Sequence, residues 1–445
     1  MRAADHRPID DATLAALFAP LAGHRRLALA VSGGPDSLAL LVLVDRWARS
    51  GAAPADLLVL TVDHALRAGS AAEAAAVAAF AARLGRACRV LVRRGPAPTA
   101  DIEAAARAAR YRLLADAARA DGAEALVTAH HRDDQAETFL LRLARGSGVY
   151  GLAAMRPESL HNGLPLLRPL LDLPRARLRT ALDGVTLPPG LPVEDPHNTD
   201  PRFARARLRA LMPRLAAEGF DAARLAATAQ ALGRAADALE AVADRLIAGH
   251  VAVDFAAAVA LDAAAWAEAP DEIGLRVLAR ILRAAGGGAV VPRLDRLERL
   301  DAAMRAALAG APLSRTLAGL HVEHGNGVFR FSREAGRAGL STQPVAGRCE
   351  LVWDGRFAMA IDVPEGLAGP TLGPLGPDGR RALAGLLPAA PRRAIETLPT
   401  LRLRERILAV GGLGVLAGGE TAAFAFEARP IVAARLAERP PETGV

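Results

Sequence analysis

Two glycines, two hydroxyls and one acid are brought together in Ser32-Gly33-Gly34-Pro35-Asp36-Ser37. That set suits a phosphate. The glycines let the backbone fold tightly around an anion, and a helix starting behind them aims its N–H groups and positive dipole end at it. Ser32 and Ser37 add donors. Asp36 fits beside a phosphate only if a cation lies between them, which is the role of a Mg²⁺ ion. The plainer alternative is a glycine turn capped by Asp36 or Ser37.

A second group is His130, His131, Asp133 and Asp134, with Glu137 one helical turn on. Asp134 and Glu137 are spaced i, i+3 and share a helix face, so they form a patch for a cationic substrate, or equally a helix cap close to a capping box. A neutral His131 nearby can accept a proton from an attacking amine. Zinc is disfavoured, because adjacent histidines diverge and the H-E-x-x-H spacing is absent. Arg107 and Arg110, at i and i+3, face a phosphate or pair with Glu103. His64 and Arg67 follow a strand end where a nucleotide base and ribose would lie. Arg202, Arg205, Arg207, Arg209 and Arg214 occur within residues 201–214 with no acid between them, which suits a polyanion or a solvated basic helix.

Composition removes several other chemistries. All 55 basic residues among the 445 are arginine. Without lysine there is no Walker A loop, no pyridoxal Schiff base and no lysine-type aldolase. The net charge of +7 is compatible with a polyanionic partner, although the Ala/Arg richness reads as base-composition bias. Cys88 and Cys349 stand in no C-x-x-C pattern, which disfavours a disulfide framework, a zinc ribbon or an iron–sulfur cluster. The N-terminal residues have acids where a secretory leader needs bases, and no apolar run approaches the length of a membrane span. The expectation is a cytoplasmic protein with no membrane contact.

The elements that must position these groups alternate through the first 215 residues. Leu27–Val31 reads as a buried strand, 37–48 as a helix, LLVLTVDH as a strand ending at His64, and 71–84 as a helix. CRVLVRR is a third strand, followed by the helix from Asp101, the strand ALVTAH and a helix from Asp133. This pattern predicts a doubly wound parallel sheet with ligands at the carboxyl ends of its strands. Residues 216–340 read as a mostly helical domain, and 341–445 as a small α+β domain. GGLGVLAGG (411–419) lacks the dinucleotide spacing and reads as turns between strands.

The S-G-G-x-D-S string after a first strand resembles the PP-loop of the N-type ATP pyrophosphatases. Four further blocks resemble the tRNA(Ile)-lysidine synthases: Asp63-His64-Ala65-Leu66-Arg67; IEAAARAARYRLL (102–114); HHRDDQAETFLLRLARGSGVYGLAAM (130–155); and EDPHNTDPRFARARLR (194–209). Asp101 stands where that family usually has Asn, and His197 where it has a small hydroxyl residue. The resemblance implies an α/β PP-loop catalytic domain over 1–215, a helical tRNA-binding domain and a small C-terminal domain. It further implies ATP with Mg²⁺, free lysine, and isoleucine tRNA with a CAU anticodon. Ser32, Gly33, Gly34, Pro35, Asp36 and Ser37, with His64, Arg67 and Arg110, would hold ATP and pyrophosphate, Asp36 through Mg²⁺. Asp134 and Glu137 would bind lysine, His131 and Arg205 would join the catalytic set, and Arg202, Arg205, Arg207 and Arg209 would meet tRNA. The product would be lysidine at the wobble cytidine, formed through an adenylated intermediate. The alternatives are a 2-thiolase-type PP-loop tRNA enzyme, which wants cysteines that this chain does not place, and a non-catalytic RNA-binding protein. The acids beside the phosphate loop argue against the second.

Overall fold

The computed structural model describes residues 6–51, 56–64, 69–93, 102–193, 200–287, 292–336, 339–364, 369–416 and 425–439, with backbone only for 102–106. The chain divides into two compact units, Met1–Ala236 and Asp237–Pro440, the former with the last five residues.

In the first unit α1 (Asp11–Phe18), β1 (Arg26–Ala30), α2 (Pro35–Arg49), β2 (Asp56–Asp63), α3 (Ser70–Arg83) and β3 (Ala87–Val92) come first. They are followed by α4 (Ile102–Ala120), β4 (Ala125–Val127), α5 (Arg132–Ala144), α6 (Val149–Leu152), β5 (Glu158–His161), β6 (Leu164–Leu167), α7 (Arg175–Arg179) and α8 (Ala204–Ala217). The sheet order is β3-β2-β1-β4-β6-β5. All neighbours are parallel except the β5–β6 edge pair. Alternate residues of a strand point to opposite faces, and the sequence serves both. Leu27, Leu29, Val59 and Val127 join one core with Phe18, Leu40 and Phe80. Ala28, Leu58, Leu60 and Leu126 join another with Tyr111, Leu114 and Ala118 of α4. Continuous apolar strands are what a sheet covered on both sides requires. The strand order reverses between β1 and β4, so their carboxyl ends flank the crevice where open α/β sheets bind ligands.

The unit boundary falls within α9 (Ala222–His250). Beyond it come β7 (Val251–Val253), β8 (Val259–Asp262), α10 (Ala263–Glu268), α11 (Asp271–Ala285), α12 (Leu294–Leu308), β9 (Ser314–Leu317), β10 (Leu320–Gly325) and β11 (Val328–Arg333). The stretch expected to be mostly helical is thus built on four helices and also carries a five-stranded antiparallel sheet, β7-β8-β11-β10-β9. Its short strands read in sequence only as interruptions of the helical pattern. The β10–β11 hairpin turns on Asn326 and Gly327, both at positive φ, the primed turn that matches strand twist. β12 (Gln343–Pro344), β13 (Arg348–Trp353), β14 (Phe357–Asp362), β15 (Pro370–Pro374), α13 (Gly376–Ala382), α14 (Arg392–Glu396), β16 (Pro399–Leu403), β17 (Arg406–Val410), β18 (Gly414–Val415), β19 (Ala425–Pro430) and α15 (Val432–Ala437) complete the chain. They form two antiparallel sheets, β12-β15-β16-β17-β18 and β13-β14-β19, with small helices, the α+β character expected there. Within this unit Arg356 is fully buried, donating to Asp354 at 2.7 Å and to the Thr397 carbonyl at 2.9 Å.

Candidate active site

The loop after β1 is shaped by its glycines. Gly33 has φ +83°, and a Cβ there would lie 2.9 Å from Val193 Cγ2 and 3.1 Å from Val77 Cγ2. Val193 N–H donates to the Gly33 carbonyl at 2.9 Å, so the close approach is itself hydrogen-bonded. Gly34 is the N-cap of α2 with Pro35 behind it, and no side chain caps the first turn. Ser37 Oγ donates to the Gly34 carbonyl at 2.9 Å and accepts from Ser32 N–H at 3.2 Å. The loop is therefore held open by its own bonds, with the helix N-terminus beside it.

Asp36 lies in the first turn of α2, a quarter exposed. Arg179 Nε stands 3.2 Å and Arg175 Nε 3.4 Å from its carboxylate, and His131 Nε2 is 3.6 Å away. Burial pushes the carboxyl up, but the His131 ring and the two guanidiniums outweigh it and hold Asp36 well below the usual carboxylate range. It is an anion at any working pH.

His131 caps α5. Its N–H donates to Asp134 Oδ2 at 3.1 Å, and the Asp134 N–H donates back to its Nδ1 at 3.3 Å, a reciprocal box. The ring is buried, with Nε2 3.4 Å from Asp134 Oδ2. Burial disfavours its charge, yet Asp134, Asp36 and Asp133 together raise its pKa above the ordinary value. The expected neutral proton acceptor is thus biased towards the protonated form, because three acids surround it. His131 joins the phosphate-loop acid to the acids of α5.

Its neighbour is the neutral ring. His130 is half-buried, with Nδ1 2.9 Å from Thr128 Oγ1. Nε2 lies 3.2 Å from an Arg107 terminal nitrogen and 3.4 Å from the Tyr111 hydroxyl. A guanidinium only donates, so Nε2 accepts and Nδ1 carries the proton. Burial, then the charges of Arg107, Arg168, Arg205 and Arg110, drive its pKa well below normal. Arg107 and Arg110 both stack on Tyr111. Burial eases the Arg107 guanidinium down to about 10, and the like charges of Arg205 and Arg110 add to this. The Glu103 side chain, the alternative partner, lies outside the described residues.

Glu137 is 5% exposed on its side chain and takes both branches of Arg209, at 2.6 and 3.1 Å. Arg209 also reaches within 3.7 Å of Asp134. Burial, only partly offset by Arg209, leaves the Glu137 pKa raised. The two acids expected to receive a cation hold one already, from within the chain. The basic segment accordingly divides. Arg209 of α8 turns to the acid pair, and the charge of Arg205, one turn earlier, is felt at His130, Arg107 and Glu137. Arg202 is bonded to Asp200 at 2.6 Å, and Arg207 donates to the carbonyls of Pro201 and Arg202. Arg209 therefore serves the acid pair rather than an outward RNA contact.

His64 is half-buried just after β2; Arg67 and residues 194–199 lie outside the described residues. Among the described residues no three His, Cys, Asp or Glu side chains gather as a metal site, since the two adjacent histidines face different partners. Mg²⁺ needs fewer protein ligands when phosphate oxygens supply the rest, and Asp36 fits that use. Sequence reasoning missed Arg175 and Arg179, which lie 139 and 143 residues from Asp36 in a run, PRARLR, indistinguishable from the arginine background. Burial pushes the Cys88 thiol up to about 11, a poor nucleophile.

Residues 7–215 match the PP-loop domain family. The tRNA(Ile)-lysidine synthase of Bradyrhizobium diazoefficiens is 45% identical over 346 residues, 74% of this chain and 95% of that protein. That of Methylobacterium nodulans is 47% identical over 325 residues, 69% of this chain and 90% of its own. That of Mesorhizobium japonicum is 38% identical over 417 residues, 91% of this chain and 86% of its own.

Proposed function

This chain belongs to the tRNA(Ile)-lysidine synthase family, and from that premise we propose that it joins free lysine to C2 of the wobble cytidine in isoleucine tRNA with a CAU anticodon. It is an ATP-dependent ligase working on tRNA. The C2 carbonyl oxygen attacks the α-phosphorus of ATP, and the bond to the bridging oxygen breaks, releasing pyrophosphate. The lysine ε-amine then attacks C2 and AMP departs with the former carbonyl oxygen.

The observation that carries the lysine assignment is the Glu137–Asp134 pair holding the Arg209 guanidinium. A buried carboxylate stays ionised only with a cation beside it, and an arginine side chain imitates the substrate's charge. Ser32, Gly33, Gly34, Pro35 and Ser37 would seat the pyrophosphate on the N-terminus of α2. Mg²⁺, held by Asp36 and phosphate oxygens, would supply charge neutralisation. His64, Arg67 and Arg110 would line the nucleotide, and Arg205 with Arg107 would supply positive charge to an adenylate phosphate. His131 positions both Asp36 and the start of α5. His130, with Nε2 taken up by Arg107 and its pKa driven down, is a weak base, and its part would be to hold Arg107 beside the site. Arg202, just before α8, and Arg207 within it are exposed and would be the tRNA candidates of this segment.

The test is incorporation of labelled lysine into a CAU-anticodon isoleucine tRNA transcript by purified protein with ATP and Mg²⁺. Transfer of lysine label to RNA, with one AMP formed per lysine, is expected. Absence of label in RNA while another donor is incorporated would sink the reading.

A further inference from the structure

Around Asp36 the charges do not cancel. One carboxylate faces two guanidiniums, Arg175 and Arg179, each reaching it through Nε alone at 3.2–3.4 Å. The terminal amino groups of both have no hydrogen-bond partner among the described residues. Both side chains remain partly open, at 33% and 43% exposure. The two residues are i, i+4 on α7 and so share one face.

Their placement is fixed from below. The Arg175 N–H donates to Asp133 Oδ2 at 2.9 Å, and the Arg132 N–H donates to the Leu173 carbonyl at 2.9 Å. The short helix is thereby bolted to the start of α5, beside the phosphate loop. Arg209 meets Glu137 through a two-pronged fork. Here two are held edge-on, with the phosphate-matching forks left over.

We propose that Arg175 and Arg179 are catalytic residues that clamp the leaving pyrophosphate. This rests on the adenylation step above. Asp36 would hold the Mg²⁺ that neutralises phosphate charge, which would leave the two guanidiniums free to meet the non-bridging β- and γ-oxygens. As the bond from the α-phosphorus to the bridging oxygen breaks, its electron pair passes to pyrophosphate, and the forks take up that charge. Phosphoryl-transfer enzymes use arginine in this way, and this lysine-free chain has no other cationic side chain to offer beyond histidine.

The test compares wild type with Arg175→Gln, Arg179→Gln and the double variant. Inorganic pyrophosphate with Mg²⁺ is titrated calorimetrically, and KM for ATP and for lysine is measured. Each lost charge-assisted contact is worth about tenfold or more. The double variant should therefore bind pyrophosphate at least about 100-fold more weakly and cleave ATP slowly, with its lysine KM unchanged. Arg179→Lys, at an exposed position, should recover part of the affinity through charge alone. Pyrophosphate affinity within twofold of wild type in the folded double variant, or in Arg179→Gln if the double variant does not fold, overturns the clamp. The lysidine reading fails separately: a wild type that binds pyrophosphate through these arginines but attaches no lysine to RNA keeps the clamp and loses that reading.

Discussion

His130 and His131 are covalent neighbours driven in opposite directions. Four arginines and burial keep the first neutral, and three aspartates favour charge on the second. NMR titration of the ring protons should show His130 unprotonated throughout the neutral range and His131 titrating above the ordinary 6.5. Stability responds with opposite signs. The His130 contribution is present above pH 6.5 and is lost as pH falls from there towards its depressed folded value. The His131 contribution is present below pH 6.5 and is lost as pH rises through its raised one. Melting temperatures of His130→Asn should therefore decline less below pH 6.5 than those of wild type, and an unchanged decline would assign the acid sensitivity elsewhere. At the same scale, Glu137→Gln should raise the lysine KM about 10- to 100-fold with little change for ATP. Equal effects on both substrates would make Glu137 a structural cap and partner of Arg209 only.

At the level of elements, the site is made by the carboxyl ends of β1 and β4 and the first turns of the helices around them. Gly33→Ala places a Cβ 2.9 Å from Val193 Cγ2 at φ +83° and should cost about 1–3 kcal/mol. Chemical denaturation would read this directly, together with weaker pyrophosphate binding; full retention of both would mean that the loop relaxes freely. The phosphate loop, its strand and the acids of α5 were legible because each lies within one short segment whose residue types are unusual together. The roles of Arg175, Arg179 and Arg209 were not, because they depend on contacts spanning 139, 143 and 72 residues. In a chain where every base is arginine, no residue type sets those three apart. The strands β7 to β11 escaped for a different reason: segments of three to six residues beside long alanine-rich helices are too short to establish a period of their own.

For the molecule as a whole, the +7 charge is spread over a chain with many internal arginine–carboxylate pairs. No helix among the described residues is long and apolar enough to cross a membrane. A tRNA-binding chain of this composition should bind its RNA largely through phosphates, so affinity should fall at least about 10³-fold between 50 and 200 mM salt. Filter binding across that range checks it, and a flat response would place recognition in uncharged contacts instead.

The Arg209–Glu137 fork has one more consequence. The acid pair holds Arg209, so on the proposed reading a substrate amine would not fill a hole but trade places with a tethered cation. Its measured affinity is then the difference between two ions competing for the same seat, one of which is always present at high local concentration. Such an exchanger is weak towards any free cation by construction, and it is selective only for one that brings further contacts with it. The guanidinium it evicts would turn its permanent charge outwards only while the seat is taken.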